Sequence, residues 1–336
     1  MKSFIVRNSR YFVIFFLAVV IVMSLPIIVI FSIKSEQEKP LTNLPPQFPI
    51  TVDPRNKLIV EKAEVNAYLE GTSSPLEASV SGVFDPLLNI IKSLVIDLAE
   101  ASWYQNIASV AGLNGHLITI TPGMRKEQVV DKFGKNLEWK DADKKIFLNA
   151  GQDSTPPMIE GEYFPDTYYV NNDASAVDVE KMINKRFTAN VLARYGTSTA
   201  QIVPINQALN IASIIQRETI GNKDMRLISG IIWNRIFNNM SLQVDATLQY
   251  AKANTKNTNE WWPDVVPKDK YIKSPYNTYL HKGLPPTPIA NPSVGAILAA
   301  LNPIETPCLY YFNDKKGEFH CSKTYKEHVS LIKKYY

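Results

Sequence analysis

Glu218 is the residue of this 336-residue chain best placed for acid–base chemistry. The segment after Pro204 has helical spacing, and Ile211, Ile214 and Ile215 precede Glu218 by seven, four and three positions. This spacing places the carboxyl on the apolar stripe of the predicted helix, not on its solvated face. Desolvation raises the pKa of a carboxyl, and a general acid must stay protonated near neutral pH.

A second charge, Arg235, lies on the apolar face of the next predicted helix, which begins near Asp224 as an N-cap. Two interpretations follow. Buried charges are usually paired, so Glu218 and Arg235 could form a structural ion pair, which would lower the pKa of the carboxyl. Alternatively, Arg235 points at another acid or at substrate and leaves Glu218 able to act as an acid.

The composition is that of a globular protein, with 45% hydrophobic and 10% aromatic residues. A net charge of +4 is too small and dispersed to indicate a nucleic-acid partner. The two cysteines, Cys308 and Cys321, exclude a disulfide framework and a CxxC metal site but leave their own pairing open. No metal or cofactor is predicted, because the histidines lack the ligand spacing of a metal hydrolase. They are His116, His281, His320 and His328.

Residues 11–33 form an uncharged apolar run of 23 residues, longer than the roughly 20 that a helix needs to cross a bilayer. Three basic residues precede the run, so the positive-inside bias predicts a cytoplasmic N-terminus at 1–10 and an extracytoplasmic remainder. A cleaved signal peptide is the alternative, but the run exceeds the usual apolar region of about 7–15 residues and no small-x-small site follows. The sequence therefore predicts an uncleaved, single-pass transmembrane helix.

The rest of the chain divides by composition into four parts. Residues 34–56 are rich in proline and predict an extended spacer, and residues 57–115 contain an apolar helical run from Phe84 to Trp103 but no legible function. Strand, turn and helix signals in 116–150 predict a small subdomain. Residues 155–336 form the main domain. The predicted fold class is α+β, with a mixed α/β main domain.

Blocks of polar and aromatic residues follow one another through the second half of the chain. In order they are Glu160–Tyr168 (EGEYFPDTY), Ala212–Thr219 (ASIIQRET), Ile232–Ile236 (IWNRI), Leu242–Thr247 (LQVDAT), Ser274–Tyr279 (SPYNTY) with Gly283–Pro286 (GLPP), and Ser322–Thr324 (SKT) with Glu327 and His328. Together they resemble the signature of the endolytic murein transglycosylases of the YceG-like family. The resemblance covers roughly residues 116 to 336 and includes the N-terminal anchor.

The resemblance assigns the family's catalytic glutamate to Glu218. Many members carry a second glutamate where this chain has Gln216, so only Glu218 can act as an acid in this segment. The unit at 116–150 looks like a LysM-like glycan-binding module. Residues 57–115 do not resemble the family closely and receive no role, and His320 departs from the family's pattern and is interpreted as a surface or packed histidine.

The activity implied by the resemblance is that of a lyase acting on peptidoglycan. It cleaves the β-1,4 bond between N-acetylmuramic acid (MurNAc) and N-acetylglucosamine (GlcNAc), and the sugar's C6 hydroxyl attacks C1 to leave a 1,6-anhydroMurNAc end. Glu218 would serve first as acid and then as base, whereas ordinary glycosidases use two carboxylates. The implied setting is the bacterial cytoplasmic membrane, beside penicillin-binding polymerases, where cleavage terminates nascent strands. The alternative is a non-catalytic, membrane-anchored peptidoglycan-binding or scaffold protein with a structural Glu218.

Polar and aromatic side chains of these blocks are the candidates for contacts with sugar hydroxyls, amides and ring faces. They are Glu160, Asp166, Asn234, Arg235, Gln243, Asp245, Tyr276, Asn277 and Thr278. Structural alternatives remain open: Asp166 could cap a turn, Asn277 could hold a tight turn, and Asp245 could pair with Arg235. The stiff Gly283–Pro286 loop is expected to shape a wall of the site.

Overall fold

The structure is a computed structural model that describes most of the chain. The described residues are 2–39, 46–71, 114–149, 158–219, 224–255 and 260–335, together with Leu94, Leu98 and Tyr104. The helical run predicted from Phe84 to Trp103 therefore lies almost entirely outside the described residues.

The first element, α1, is a helix from Lys2 to Glu38 that contains the apolar run predicted to cross the membrane. Its second half packs against a small sheet, because Ile30 is buried together with Leu117 and Tyr169. Helix α1 also extends beyond residue 33 into the predicted spacer. Within the part of the chain that the structure describes, no helix is long and apolar enough to cross a membrane.

Residues 46–56 pack on the main domain and do not form the extended spacer predicted from their prolines. The backbone N–H of Phe48 donates to the Arg194 carbonyl at 2.8 Å, and that of Thr51 donates to the Leu301 carbonyl at 3.1 Å. The prolines prevent a helix, as expected, but the apolar side chains of Phe48 and Val52 are buried in the main core. The elements here are β1 (Val52–Asp53), which pairs antiparallel with β2 (Leu58–Ile59), and α2 (Ala63–Gly71).

A small unit is built on strand β3 (Gly115–Thr119), which pairs antiparallel with β4 (Thr167–Asn171). The strand and helix predicted near residues 116–133 are confirmed. Helices α3 (Lys126–Asn136), α4 (Asp141–Asn149) and α5 (Ala176–Asn190) cover the sheet. Phe133 and Tyr168 are completely buried in the core of this unit. That core extends to Ile183, well beyond the predicted limit at residue 150, because β4 and α5 come from the chain after it.

The main domain, residues 192–335, is mostly helical. Its elements are a 3-10 turn (Leu192–Arg194), α6 (Thr197–Ile202), α7 (Ile205–Glu218), α8 (Met225–Phe237), α9 (Asp245–Thr255), a second 3-10 turn (Pro267–Tyr271), α10 (Val294–Leu301), the antiparallel hairpin of β5 (Tyr310–Asn313) and β6 (Phe319–Ser322), and α11 (Tyr325–Tyr335). Helix α7 lies at the centre, since Ile211, Ile214 and Ile215 are completely buried. The mixed α and β character predicted from the sequence is confirmed.

Candidate active site

Glu218 is the last residue of α7 and lies half-buried where α7, the start of α9 and the hairpin meet. Its Oε2 accepts a hydrogen bond from the Tyr311 hydroxyl at 2.8 Å, and its Oε1 accepts one from the Ala246 backbone N–H at 3.3 Å. Burial raises the pKa of Glu218; the two hydrogen bonds oppose this rise, and the nearby Asp245 carboxylate adds to it. The net rise favours a protonated carboxyl that still reaches solvent, which suits a general acid.

Arg235 donates its hydrogen bonds to backbone carbonyls. Its Nε donates to Leu309 O at 2.6 Å, and its Nη1 donates to Leu242 O. The guanidinium also lies 5.3 Å from the ring centroid of Tyr310. Arg235 therefore joins the hairpin to the loop before α9. Of the two alternatives that the sequence left open, these partners argue against a structural ion pair with Glu218, and the general-acid interpretation keeps its physical basis.

Gln243 lies on the loop that leads from α8 into α9, and Asp245 is the first residue of α9, beside Glu218. Both are exposed, and Gln243 has a left-handed backbone with a φ of 49°. The Tyr279 hydroxyl donates to Asp245 Oδ1 at 2.6 Å, so the suggested pairing of Asp245 with Arg235 does not occur. The loop and the first residue of α9 thus present two of the predicted polar side chains to solvent near the acid.

Thr278 and Asn277 are buried beneath this loop. Thr278 Oγ1 accepts from the Val244 N–H at 3.0 Å and lies 2.8 Å from Thr247 Oγ1. Asn277 Nδ2 donates to the Ile272 carbonyl at 2.8 Å. Asn277 therefore holds a turn, as its structural alternative proposed, and both side chains support the loop next to Glu218.

Asn234 and Tyr276 also have protein partners. Asn234 Nδ2 donates to Thr306 O at 2.6 Å and to Cys308 O at 3.1 Å, so it fastens the segment that leads into the hairpin. The Tyr276 hydroxyl lies 2.8 Å from Thr287 Oγ1. These contacts fix the shape of the loops.

The Gly283–Pro286 loop borders an open groove of about 660 Å³. The other lining residues come from the same part of the chain: Lys273, Ser274, Pro275, Leu280 and His281. Leu280 follows Tyr279, whose hydroxyl donates to Asp245. The loop forms a wall of the groove, in line with its expected stiffness.

The structure places Glu160 and Asp166 in the small unit. Asp166 Oδ2 accepts from Arg186 Nε at 2.7 Å, at the start of β4. Glu160 is 3% exposed, and its Oε1 accepts from the Lys126 N–H at 2.9 Å and from Asn291 Nδ2 at 3.2 Å. Asp166 therefore stabilises the small unit, and Glu160 stabilises its contact with the main domain.

Glu160 makes a testable contribution to the pH dependence of stability. Burial raises its pKa to about 8 from an ordinary 4.5. Between these values the unfolded chain has lost the proton that the folded chain keeps, so stability falls as pH rises through this window and levels off above it. We expect Glu160→Gln to raise the melting temperature relative to wild type at pH 8 but not at pH 4.5. Exposed Glu318→Gln is the control; parallel pH curves for wild type and Glu160→Gln would contradict this prediction.

Gln216 has a structural partner on the far side of α7. Its Oε1 accepts from the backbone N–H of Ser293 at 3.0 Å, and Ser293 caps the N-terminus of α10. Gln216, which stands where many members of the family carry a second glutamate, thus joins α7 to α10. It leaves Glu218 as the carboxyl of this helix that faces the site.

Two features of the hairpin complete the site. The Tyr311 hydroxyl donates to Glu218. This residue could not be predicted from the sequence, because its only signal is an aromatic strand far along the chain. Cys308 and Cys321 form a disulfide with a Cα–Cα distance of 5.8 Å, which answers the question of their pairing.

His320 is packed, with its ring stacked 4.1 Å from that of Tyr335.

A half-buried carboxyl at a helix end, held by a phenol and a backbone N–H, defines a site for proton transfer by one acid. The YceG-like family model matches residues 92–334, and the chain belongs to this family. The endolytic murein transglycosylase of Bacillus subtilis is 31% identical over 251 residues, and the match covers 69% of this chain and 68% of that protein. The protein of the same name from Streptococcus pneumoniae D39 is 30% identical over 174 residues, 51% of this chain and 31% of that protein.

The fold is similar to that of a solved relative. The crystal structure of a YceG-like protein from Listeria monocytogenes superposes with a TM-score of 0.56 at 28% identity, covering 64% of this chain and 75% of that chain.

Proposed function

We propose that this protein is a lytic transglycosylase that cleaves peptidoglycan glycan strands, with Glu218 as its acid. The observation that carries the proposal is the setting of Glu218: a half-buried carboxyl with a raised pKa, at the position of the family's catalytic glutamate. The names of the relatives from Bacillus subtilis and Streptococcus pneumoniae support the same activity.

In the proposed reaction Glu218 gives up one proton and then takes another. Protonated Glu218 gives its proton to the oxygen of the MurNAc-β-1,4-GlcNAc bond as the bond from C1 to that oxygen breaks. The C6 hydroxyl of MurNAc attacks C1 and loses its proton to the Glu218 carboxylate. The products are a 1,6-anhydroMurNAc end and a GlcNAc with a free 4-hydroxyl, so no water is consumed. The negative charge of Asp245 raises the pKa of Glu218. It would also stabilise the positive charge that develops at C1.

The test is to incubate the full chain, purified in detergent, with uncrosslinked glycan strands in ¹⁸O-labelled water. We expect 1,6-anhydro ends without ¹⁸O. Labelled reducing ends would identify a hydrolase, and intact strands would favour the alternative of a non-catalytic peptidoglycan-binding or scaffold protein. Activity after exhaustive chelation is the expected result for a reaction carried by a carboxyl alone.

Glycan contacts are proposed for the exposed Gln243 and Asp245. The other predicted residues have protein partners, and we propose that five of them shape the site: Asn234, Arg235, Tyr276, Asn277 and Thr278. Glu160 and Asp166 lie in the small unit, where their partners give them a structural role. Residues 116–150 remain the proposed LysM-like glycan-binding module, and penicillin-binding polymerases remain the proposed partners.

Anchoring by residues 11–33 in the cytoplasmic membrane is proposed from the uncharged run. Its exposed apolar side chains support this, for example Phe15 at 68% and Ile14 at 62% exposure. Because the second half of α1 packs on the small sheet, the folded part would lie close to the bilayer. We expect alkaline carbonate to leave the full chain in the membrane pellet, and a chain without residues 1–33 to be released. Release of both would contradict the anchor.

A further inference from the structure

Tyr311 is the side chain that holds the carboxyl of Glu218. Its hydroxyl donates to Glu218 Oε2 at 2.8 Å, and its ring stacks on Phe319 with centroids 5.8 Å apart. Burial, and then the negative charge of Glu218, raise the pKa of Tyr311 well above its usual value. The phenol therefore keeps its proton and remains a donor over the working pH range.

The strand that carries Tyr311 is fastened beside this contact. Tyr311 pairs directly with Cys321 across the hairpin, and Cys321 is bonded to Cys308, three residues before Tyr311. Immediately before this strand, Leu309 O accepts from Arg235 Nε at 2.6 Å. An isolated two-stranded hairpin is only marginally stable. The disulfide and the contact with α8 therefore help to fix the position of Tyr311.

We propose that Tyr311 is a positioning residue for proton transfer by Glu218, and that the Cys308–Cys321 disulfide holds Tyr311 in place for this task. This inference rests on the proposed function. It adds a residue and a covalent bond on which the activity of the acid depends.

The physical reason is the difference between the two forms of Glu218. A hydrogen bond to a carboxylate is stronger than one to a neutral carboxyl, so the phenol stabilises the state that Glu218 reaches after giving up its proton. The contact also restricts the carboxyl to one orientation, which favours transfer along one direction.

Several other charged or titratable groups influence this pair. Arg217 on α7 lowers the pKa of Glu218, and Asp245 on α9 raises it. Arg235 on α8 and Tyr279 also interact electrostatically with Glu218. All four remain when Tyr311 alone is changed, so the effect of the phenol can be isolated.

The first experiment compares Tyr311→Phe with Tyr310→Phe in the full chain, by following the rate of anhydro-end formation. Tyr310 is the matched control, because neighbouring strand residues face opposite sides and its ring lies against Arg235. We expect Tyr311→Phe to lower kcat about 10- to 100-fold, the loss expected for a hydrogen bond to a charged group, with KM nearly unchanged. The control should retain wild-type kinetics.

The pH profile supplies a readout that a merely structural role would not move. Glu218 must be protonated to start the reaction, so its pKa sets the high-pH limb of kcat/KM. Loss of the phenol removes a contact that lowers this pKa, and the limb of Tyr311→Phe should therefore move to higher pH. A Tyr311→Phe variant with wild-type kcat and an unmoved limb would overturn the positioning role.

The second experiment tests the disulfide by reducing the folded wild type with dithiothreitol. The chain contains only two cysteines, so the reagent has one protein target. We expect kcat to fall about 3- to 10-fold, because Tyr311 is still present but less restricted, with the high-pH limb displaced toward that of Tyr311→Phe. Cys308→Ser/Cys321→Ser should show the same values without reductant and no response to it.

Full activity of the reduced enzyme would overturn the role of the disulfide. Reduction of folded wild type makes the test independent of whether the double variant folds, and thermal unfolding identifies a variant that does not. If the wild type makes no anhydro ends, the proposed function fails. If the wild type is active and Glu218→Gln is not, but Tyr311→Phe behaves as wild type, only this inference fails.

Discussion

Replacing Glu218 with Gln is expected to abolish the formation of 1,6-anhydro ends, with a loss of about 10²- to 10⁴-fold in rate. The amide keeps nearly the same shape and can still accept the hydrogen bond that Tyr311 donates at 2.8 Å. It can neither give a proton to the glycosidic oxygen nor take one from the C6 hydroxyl. Both steps therefore lose their catalyst. Mass spectrometry of uncrosslinked strands digested by the full chain measures the rate.

The matched control asks whether a carboxyl elsewhere on α7 would suffice. Gln216 Oε1 faces the N–H of Ser293 at 3.0 Å, so a carboxyl at position 216 would point at α10 and not at the site. The double variant Gln216→Glu/Glu218→Gln should therefore be as inactive as Glu218→Gln. Restored cleavage in the double variant, or near-wild-type cleavage by Glu218→Gln, would contradict the assignment of the acid.

Glu218 could be identified from the sequence because its signals are local. The spacing of three isoleucines set the carboxyl on the apolar face, and the flanking motif supplied its role. Its partner Tyr311 could not be identified in this way, since the two residues are 93 positions apart. Arg235 shows the same limit: its burial was readable from helical spacing, but its partners are backbone carbonyls such as that of Leu309, 74 positions away.

Unit boundaries were harder to predict than the elements themselves. The strand and helix near residues 116–133 follow local alternation and helical periodicity, and both are present. The limit at residue 150 failed to include β4, whose Thr167 pairs with Thr119 across 48 positions. The prediction of an extended spacer from the proline-rich stretch was wrong for a related reason. Phe48 is buried only by contacts with distant parts of the chain.

Asn291→Ala is expected to be the most destabilising of the substitutions considered. Asn291 is completely buried, and its Oδ1 accepts from the backbone N–H groups of Gly161 and Tyr163, each at 3.0 Å. Its Nδ2 donates to Met124 O at 2.9 Å and to Glu160 Oε1 at 3.2 Å. Met124 O keeps the Asn291 backbone N–H as a donor, and Glu160 Oε1 keeps the Lys126 N–H. Removing the amide therefore leaves the N–H groups of Gly161 and Tyr163 unsatisfied in the interior, at about 1–3 kcal/mol for each.

We expect Asn291→Ala to lower the free energy of unfolding by about 3–5 kcal/mol in total, since part of the loss is relieved by relaxation. Hydrogen exchange should rise first in residues 158–165, where the two orphaned N–H groups lie, while the centre of α7 stays protected. Asn172→Ala, at an exposed asparagine of the small unit, is the control and should change stability by less than about 0.5 kcal/mol. Unchanged exchange in residues 158–165 would mean that Asn291 does not hold the small unit to the main domain.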